Sequence, residues 1–422
     1  MPLKISLLLL FAVTTTFTYW LRQINLQHLK QHGATIPDGF SDAISQETLT
    51  KTTAYTLDSS RLGLWESLFD NALVVLFLFA GVLPLYDSFI SGVSDSFIVQ
   101  GLLFFLILTW VQTILELPFT LYGTFVVEAR HGFNTTTPLL WLTDLLKSQF
   151  IGSLFLAIIL SASLWLIEWS PLHWWLWVWG VMALFTLVMM FISPYVIEPL
   201  FNKFEPVDEP GLTEEISAMM AKAGLKVGRV MKMDASKRSR HSNAYFTGIG
   251  KVKRIVLFDT LIQQMTHAEI VAVLAHEIGH WKLRHILKRL IVSEVMLLGG
   301  MWCAWQAMQW EGLPGLVGME SGSFFARLII LGFVASLLMF PLTPISAWFS
   351  RRHERDADRF ASAITGDPES LASALIKMSA ENLSNLHPHP LYAGFYYSHP
   401  PVVDRVRALR FQRVSPWEGS KQ

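Results

Sequence analysis

His276 and His280 stand four residues apart in the segment LAHEIGHW, with Glu277 next to the first. On an α-helix, positions i and i+4 share a face, so both imidazoles can point at one metal ion. Glu277, about 100° around the helix, can reach a water held there. The segment carries the marks of a helix over 268–284. Thr266 followed three positions later by Glu269 is a capping-box start, and Ile270, Val271, Val273 and Leu274 form an apolar stripe. Without a metal the same residues would be a polar helix face with its histidines bonded to backbone; the HExxH order favours the metal. A catalytic zinc takes three protein ligands and keeps one position open. The third ligand is not in the next two turns, because positions 283 and 286 are Leu and Ile. Glu354 in SRRHERDADRFA is the best candidate. Asp358 lies four residues on, on the same face, where it can accept a hydrogen bond from a ligating histidine. Read alone, that stretch is a charged, solvated helix start, and only its position in the chain singles it out.

The elements that must position these residues lie mostly in lipid. The 422 residues have a mean hydropathy of +0.40, with 52% hydrophobic and 16% charged residues, which excludes secreted, disordered and fibrous classes. Seven apolar runs are long enough to cross about 30 Å of hydrocarbon, at 5–21, 65–89, 97–123, 150–167, 173–197, 286–309 and 325–347. The first has only Lys4 ahead of it and no small-residue cleavage pattern behind it, so it reads as an anchor and not as a secretory signal. All of the 33 Lys and Arg except Lys4 and Arg327 fall after spans one, three, five and seven or at the adjoining span ends. Positive charge stays cytoplasmic, which puts the N-terminus outside and the C-terminus inside. Residues 1–197 then form membrane helices one to five, 198–285 a cytoplasmic segment with the HExxH helix, 286–347 helices six and seven, and 348–422 a cytoplasmic end. SNAYFTGIG and KVKRIVLFDTLI read as short strands, and NKFEPVDEPG at 202–211 as a linker. His280 and Glu354 each lie about 10 Å of helix from spans six and seven. Those spans should be antiparallel neighbours, so the metal is expected at the cytoplasmic membrane surface. Asp70, Glu116 and Glu294 sit about 8–12 Å inside their spans, where ionisable groups face protein or water. Balanced charge (33 basic, 33 acidic) gives no reason to expect nucleic acid, and the single Cys303 permits no internal disulfide.

Taken in order, KTTAYTLDSSR (51–61), LPFTLYGTFVVEARHGFN (117–134), HSNAYFTG (241–248), LAHEIGHW (274–281), SRRHERDADRFA (350–361) and YSHPPVVDRV (397–406) resemble the type 1 CAAX prenyl endopeptidases, integral-membrane zinc metalloproteases. The resemblance implies an all-α polytopic fold, with seven helices forming a barrel around a water-filled chamber and a small cytoplasmic protease domain holding a short β element. It implies Glu354 as the third ligand of one Zn²⁺, Asn243 as a clamp on the substrate backbone, and His399 and Arg405 as transition-state stabilisers. Each role has a physical basis. A strand like SNAYFTG can accept an extended peptide along its edge, a histidine can neutralise an oxyanion, and an arginine fork can orient a carboxylate. Read from the sequence alone, His399 would be an ordinary loop histidine beside HPHP, and Arg405 would make a surface ion pair. His241, His285 and His353 receive no role.

The expected activity is peptide-bond hydrolysis by zinc-activated water, with Glu277 as general base. The expected partners are the lipid bilayer and a peptide or membrane-associated polypeptide, prenylated near its C-terminus in the family's own reaction. WEGSKQ carries no dilysine retrieval signal, which favours a bacterial inner membrane over the endoplasmic reticulum, and there a quality-control substrate would replace a prenylated one. A non-proteolytic zinc scaffold or transporter is the alternative from another class, and Glu277 argues against it, because a structural zinc needs no general base. A seven-span receptor would leave that zinc chemistry unexplained.

Overall fold

The computed structural model describes residues 2–247 and 252–411. WEGSKQ, the GIG of the expected 242–250 strand and Lys251 at the start of the next lie outside the described residues.

The apolar runs become helices that overshoot them by several polar turns. These are α1 (Pro2–His32), α2 (Gln46–Phe79), α4 (Phe97–Tyr122), α5 (Pro138–Trp169) and α6 (Trp174–Ile192), with a short α3 (Val82–Ser91) between α2 and α4. Side-chain caps from Ser45, Ser96 and Thr137 start α2, α4 and α5. The run 65–89 is not one span. α2 stops at Phe79, and Gly81, at φ +91°, turns the chain into α3. Among the described residues, six helices are long and apolar enough to cross a membrane: α1, α2, α4 with its π-helical extension to Glu128, α5, α6 with its extension to Phe201, and the segment Phe324–Thr365. The sixth expected run is also a helix, running His285–Met308, about 36 Å at 1.5 Å per residue, but Lys288, Arg289 and Glu294 interrupt its apolar surface.

After the four-residue α7 (Glu198–Phe201) comes a sheet that the sequence reading half missed. β1 (Phe204–Pro206) lies in the expected linker, and α8 (Pro210–Lys222) begins at that linker's end. β2 (Lys226–Met233), β3 (Ala244–Thr247) and β4 (Val252–Phe258) follow. The strand order is β1-β2-β4-β3, with β2 parallel to β4 and the outer pairs antiparallel, so β3 is an edge. The DTLI expected to continue the strand instead opens α9 (Asp259–Gln264). Then come α10 (His267–Lys282), α11 (His285–Met308), α12 (Phe324–Met339), α13 (Thr343–Thr365), α14 (Pro368–Glu381), α15 (Pro390–Tyr396) and α16 (Val402–Phe411).

Among the described residues, the two larger apolar cores sit at opposite ends of the helices. One joins Leu212 and Ile216 of α8, Ile255 of β4, Ile270 and Leu274 of α10, Phe360 of α13 and Leu409 of α16 with Phe40, Ile44 and Leu49 from the segment after the first apolar run. The other joins Leu7, Leu78, Leu83, Ile90, Leu313 and Phe325. Polar contacts agree with this grouping. Arg238 forks onto Asp144 at 2.8 and 3.2 Å, and Arg410 donates to the Gly39 carbonyl at 2.7 Å, while at the other end Asp87 accepts from the Ser323 amide at 2.9 Å. The segments rich in Lys and Arg therefore gather at one end of the molecule, and the short loops poor in them at the other.

Candidate active site

The site is built by two helices that cross closely. In α10 the capping box is complete: Thr266 Oγ1 accepts from the Glu269 amide, and the Glu269 side chain accepts from the Thr266 amide. Glu269 also accepts from Ser373 at 2.6 Å and Lys377 at 2.8 Å, which fastens the start of α10 to α14. α13 crosses α10 at Gly279. A Cβ placed there would meet Ala357 Cα at 3.0 Å and Ala357 O at 3.2 Å. Only the missing side chain lets the two backbones approach this far, and the approach puts Glu354 opposite the two histidines.

The resulting cluster is compact and buried. His276 Nε2 and His280 Nε2 are 3.2 Å apart, and Glu354 places Oε2 3.3 Å from the first and Oε1 3.2 Å from the second. A tetrahedral zinc with bonds of about 2.0–2.1 Å needs ligand atoms about 3.3 Å apart, and each histidine nitrogen stands at that spacing from the other and from one oxygen of the Glu354 carboxylate. Glu354 Oε2 is buried and has no hydrogen-bond partner, as expected of an oxygen whose partner is a cation. The outward-facing nitrogens are engaged elsewhere, which leaves both Nε2 atoms for the metal. His276 Nδ1 lies 2.8 Å from Asp358 Oδ1, and His280 Nδ1 lies 3.2 Å from His285 Nδ1. Burial opposes charge on His276, but Asp358 and Glu354 outweigh it and hold the imidazole up at about 9. This concentration of negative charge suits a cation.

Asp358 is itself held by Arg405 of α16, whose Nε and Nη2 donate to its two oxygens at 2.9 and 2.6 Å, and whose Nη1 lies 3.8 Å from Glu354 Oε2. The resemblance placed Arg405 among the residues that stabilise the transition state; in the structure it is 9% exposed and forks onto Asp358. His399, exposed on the loop after α15, points Nε2 at Glu354 Oε2 from 3.4 Å, and Ser398 Oγ lies 2.9 Å from its Nδ1. Glu277 is half-buried and within electrostatic range of Arg405. Asn243 stands on a different element, exposed just before β3. Its Oδ1 accepts from the Ala244 amide at 2.8 Å and its carbonyl from the Phe258 amide at 3.1 Å.

Two groups left without a role prove to be wired to the site. His285 is 2% exposed, touches His280 and stacks on His353 with centroids 4.1 Å apart. His241 bridges Glu128 (3.2 Å) and Asn382 (3.1 Å), while Tyr55 donates to the other oxygen of Glu128 at 2.6 Å. Tyr55 and Glu128 thus tie two membrane helices to the residues leading into β3. Their only sequence signal was membership of the matching stretches.

A family model described as CAAX prenyl protease N-terminal, five membrane helices, matches residues 25–203, and the model of peptidase family M48 matches residues 206–412. CAAX prenyl protease 1 homolog of Arabidopsis thaliana is 35% identical over 393 residues, covering 89% of this chain and 90% of that protein. CAAX prenyl protease 1 of Saccharomyces cerevisiae is 31% identical over 414 residues, covering 91% and 90%. The chain belongs to the CAAX prenyl protease 1 family within M48. It is accordingly a membrane metallopeptidase, a hydrolase of peptide bonds. The crystal structure of S. mikatae Ste24p superimposes with a TM-score of 0.88 at 30% identity, covering 97% of this chain and 99% of that one. The named relatives are eukaryotic and lend no weight to the expectation of a bacterial inner membrane.

Proposed function

We propose that His276, His280 and Glu354 hold one zinc ion and that the chain cleaves near the C-terminus of membrane-associated, prenylated polypeptides. One observation carries the metal assignment: two Nε2 atoms 3.2 Å apart, each 3.2–3.3 Å from one oxygen of the Glu354 carboxylate, close to the spacing of ligand atoms around a tetrahedral ion. Zinc in that position supplies the Lewis acidity that polarises the scissile carbonyl and makes water nucleophilic near neutral pH. Glu277 takes a proton from the attacking water and returns it to the leaving amine as the C–N bond breaks. His399, already oriented by Ser398, neutralises the developing oxyanion. Asp358 fixes the tautomer of His276, and Arg405 acts through Asp358 as a positioning residue. The edge of β3, with Asn243 at its start, receives the substrate backbone.

In this reading, residues 1–197 and 286–347 form seven membrane helices around an aqueous chamber, and residues 198–285 with 348–422 form the enzyme on the cytoplasmic side. The grouping of basic segments at one end supports the orientation. Asp70 of α2 and Glu116 of α4 are ionisable groups within two of these helices, where such groups face protein or water. The prenyl substrate rests on the names of the relatives. The test is cleavage of a farnesylated CAAX peptide beside its unprenylated twin, with zinc counted per chain and the Glu277→Gln protein as control. Equal cleavage of both peptides would reject the prenyl requirement, and cleavage by the Glu277→Gln protein would reject the mechanism.

A further inference from the structure

Two of the membrane helices end in the same uncommon way. α4 closes in a π-helical turn, Gly123–Glu128, and α6 in another, Ser193–Ile197, which runs straight into Glu198 at the start of α7. Single π turns inside α-helices are rare and recur at functional sites. In each case the residue that closes the π turn or directly follows it is a glutamate, and each glutamate reaches the segment that forms β3.

Glu128 grips the residues that lead into the strand. Its Oε2 lies 3.2 Å from His241 Nε2, while Tyr55 of α2 donates to Oε1 at 2.6 Å. His241 Nδ1 lies 3.1 Å from Asn382 Oδ1, an oxygen that also accepts from the Ser242 amide at 3.1 Å. Both ring nitrogens therefore face acceptors, which only the doubly protonated imidazolium satisfies as a donor. Glu128 accordingly holds His241 above the ordinary histidine value, against the effect of burial. Phe133 stacks on the same ring with centroids 4.0 Å apart. The other ionisable groups around the pair are Tyr55 and His131, the latter bound to Asp58 at 3.0 Å.

Glu198 grips the strand itself. Tyr245, the second residue of β3, donates its hydroxyl to Glu198 Oε2 at 2.6 Å. On the neighbouring strand, Arg254 of β4 donates to the Pro194 carbonyl inside the π turn at 2.7 Å and lies over the Phe204 ring. Among the described residues β3 is bonded to a strand on one side only, and it packs on α10, the helix of the two histidines. Its outer edge therefore depends on contacts such as these for its position.

We infer that Glu128 and Glu198 are positioning residues for substrate binding: from the π-helical ends of two membrane helices they hold His241 and Tyr245, and through them the β3 edge, in place beside the metal site. The inference rests on the proposed function, which makes that edge the receiver of the substrate backbone.

The test uses the zinc-loaded full-length protein in detergent with a farnesylated CAAX peptide, and adds hydrogen exchange of the 244–247 amides, which needs no substrate. Glu128→Gln and Tyr245→Phe remove one charge and one hydroxyl while keeping the side-chain shapes. Each should raise KM about tenfold, within the ~100-fold that a 1 Å misplacement can cost, with kcat held within about a factor of two. Exchange at 244–247 should quicken in both. Glu198→Ala combined with Tyr245→Phe should cost no more than either alone, since both delete one contact. In the native protein KM should rise as the pH climbs through the raised His241 value and the ion pair is lost; in Glu128→Gln, which has no pair to lose, KM should stay flat over that range. Unchanged KM in both conservative variants would overturn the inference, and a KM moved by only one of them would overturn it for the other. Quickened exchange with an unmoved KM would describe a clamp that the substrate does not feel, and loss of zinc or of melting temperature in both variants would make the carboxylates supports of the fold; either result overturns the positioning role. Cleavage that survives Glu277→Gln would instead defeat the proposed function, whereas Glu277-dependent cleavage with an unmoved KM would defeat only the positioning.

Discussion

Gly279 of α10 packs directly on the backbone of Ala357 in α13, where a side-chain carbon would sit only 3.0 Å from Ala357 Cα. Glu354 and Asp358 flank Ala357 on the helix, so this contact sets the distance from both carboxylates to His276. Gly279→Ala should push the helices apart by a few tenths of an ångström, since two of the three atoms it would meet, Ala357 Cα and O, are backbone and cannot rotate away. The expected cost is about 1–3 kcal/mol, the range for overpacking, together with weaker metal binding. Thermal unfolding in detergent and zinc titration against a chelator would read the two effects. Unchanged zinc affinity would show that the crossing does not set the site.

Glu277 and His399 should separate kinetically from the ligands. Glu277→Gln keeps the shape of the side chain and removes the base, so zinc content should remain at one per chain while kcat falls about 10²–10⁴-fold. His399→Ala should spare zinc and lower kcat about 10²–10³-fold, as loss of an oxyanion donor does. His280→Ala should lose both metal and turnover. Metal analysis beside steady-state kinetics distinguishes the three, and zinc loss in Glu277→Gln would contradict the assignment of Glu277 as base.

His285 should tune the metal through His280. Loss of a partner to a ligating histidine lowers metal affinity about 10–100-fold, so His285→Ala should weaken zinc by that factor, and His285→Gln should restore part of it. His353→Phe, which keeps a ring stacked on His285, should leave affinity near native. If His353→Phe weakens zinc as much as His285→Ala does, the effect is packing and not the His280 hydrogen bond.

Much of this site could be read locally. The capping box, the i, i+4 histidines and the Glu354 and Asp358 pair all lie within single helices, where spacing alone decides which side chains share a face. The membrane runs were legible because length and apolarity suffice to find them. His285 was not legible. At i+5 from His280 it would face away on a continuous helix, but α10 ends and Arg284 adopts φ +57°, which swings His285 back against the site. β1 was hidden because a three-residue strand containing proline looks like a linker, and the break at Gly81 because apolar residues continue across it. The open pocket beside His399 was beyond sequence reading, since its walls come from α14, residues 384–385, the 397–401 loop and Arg405 of α16, which only the tertiary fold brings together.

Glu269 carries the pH dependence of the α10 start. Burial pushes its carboxyl upward, but bonds from Lys377, Ser373 and the Thr266 amide outweigh burial and hold it below its ordinary value. A depressed carboxylate stabilises the fold fully above its unfolded pKa, about 4.3, and the contribution is lost as pH falls through the lower folded value. Glu269→Gln should therefore lower stability by about 2 kcal/mol at pH 7, since hydrogen bonds to charged groups contribute about 1.5–3 kcal/mol. The gap between native and variant melting temperatures should stay constant above about pH 5 and narrow as the pH is lowered below 4. A gap that widened in acid would mean that Glu269 is protonated in the folded protein and that Lys377 is not its partner. Because Glu269 fastens α10 to α14, the same acid titration should loosen the end of the helix that begins two turns before His276, so zinc retention measured alongside would report whether the cap and the metal site unfold as one unit.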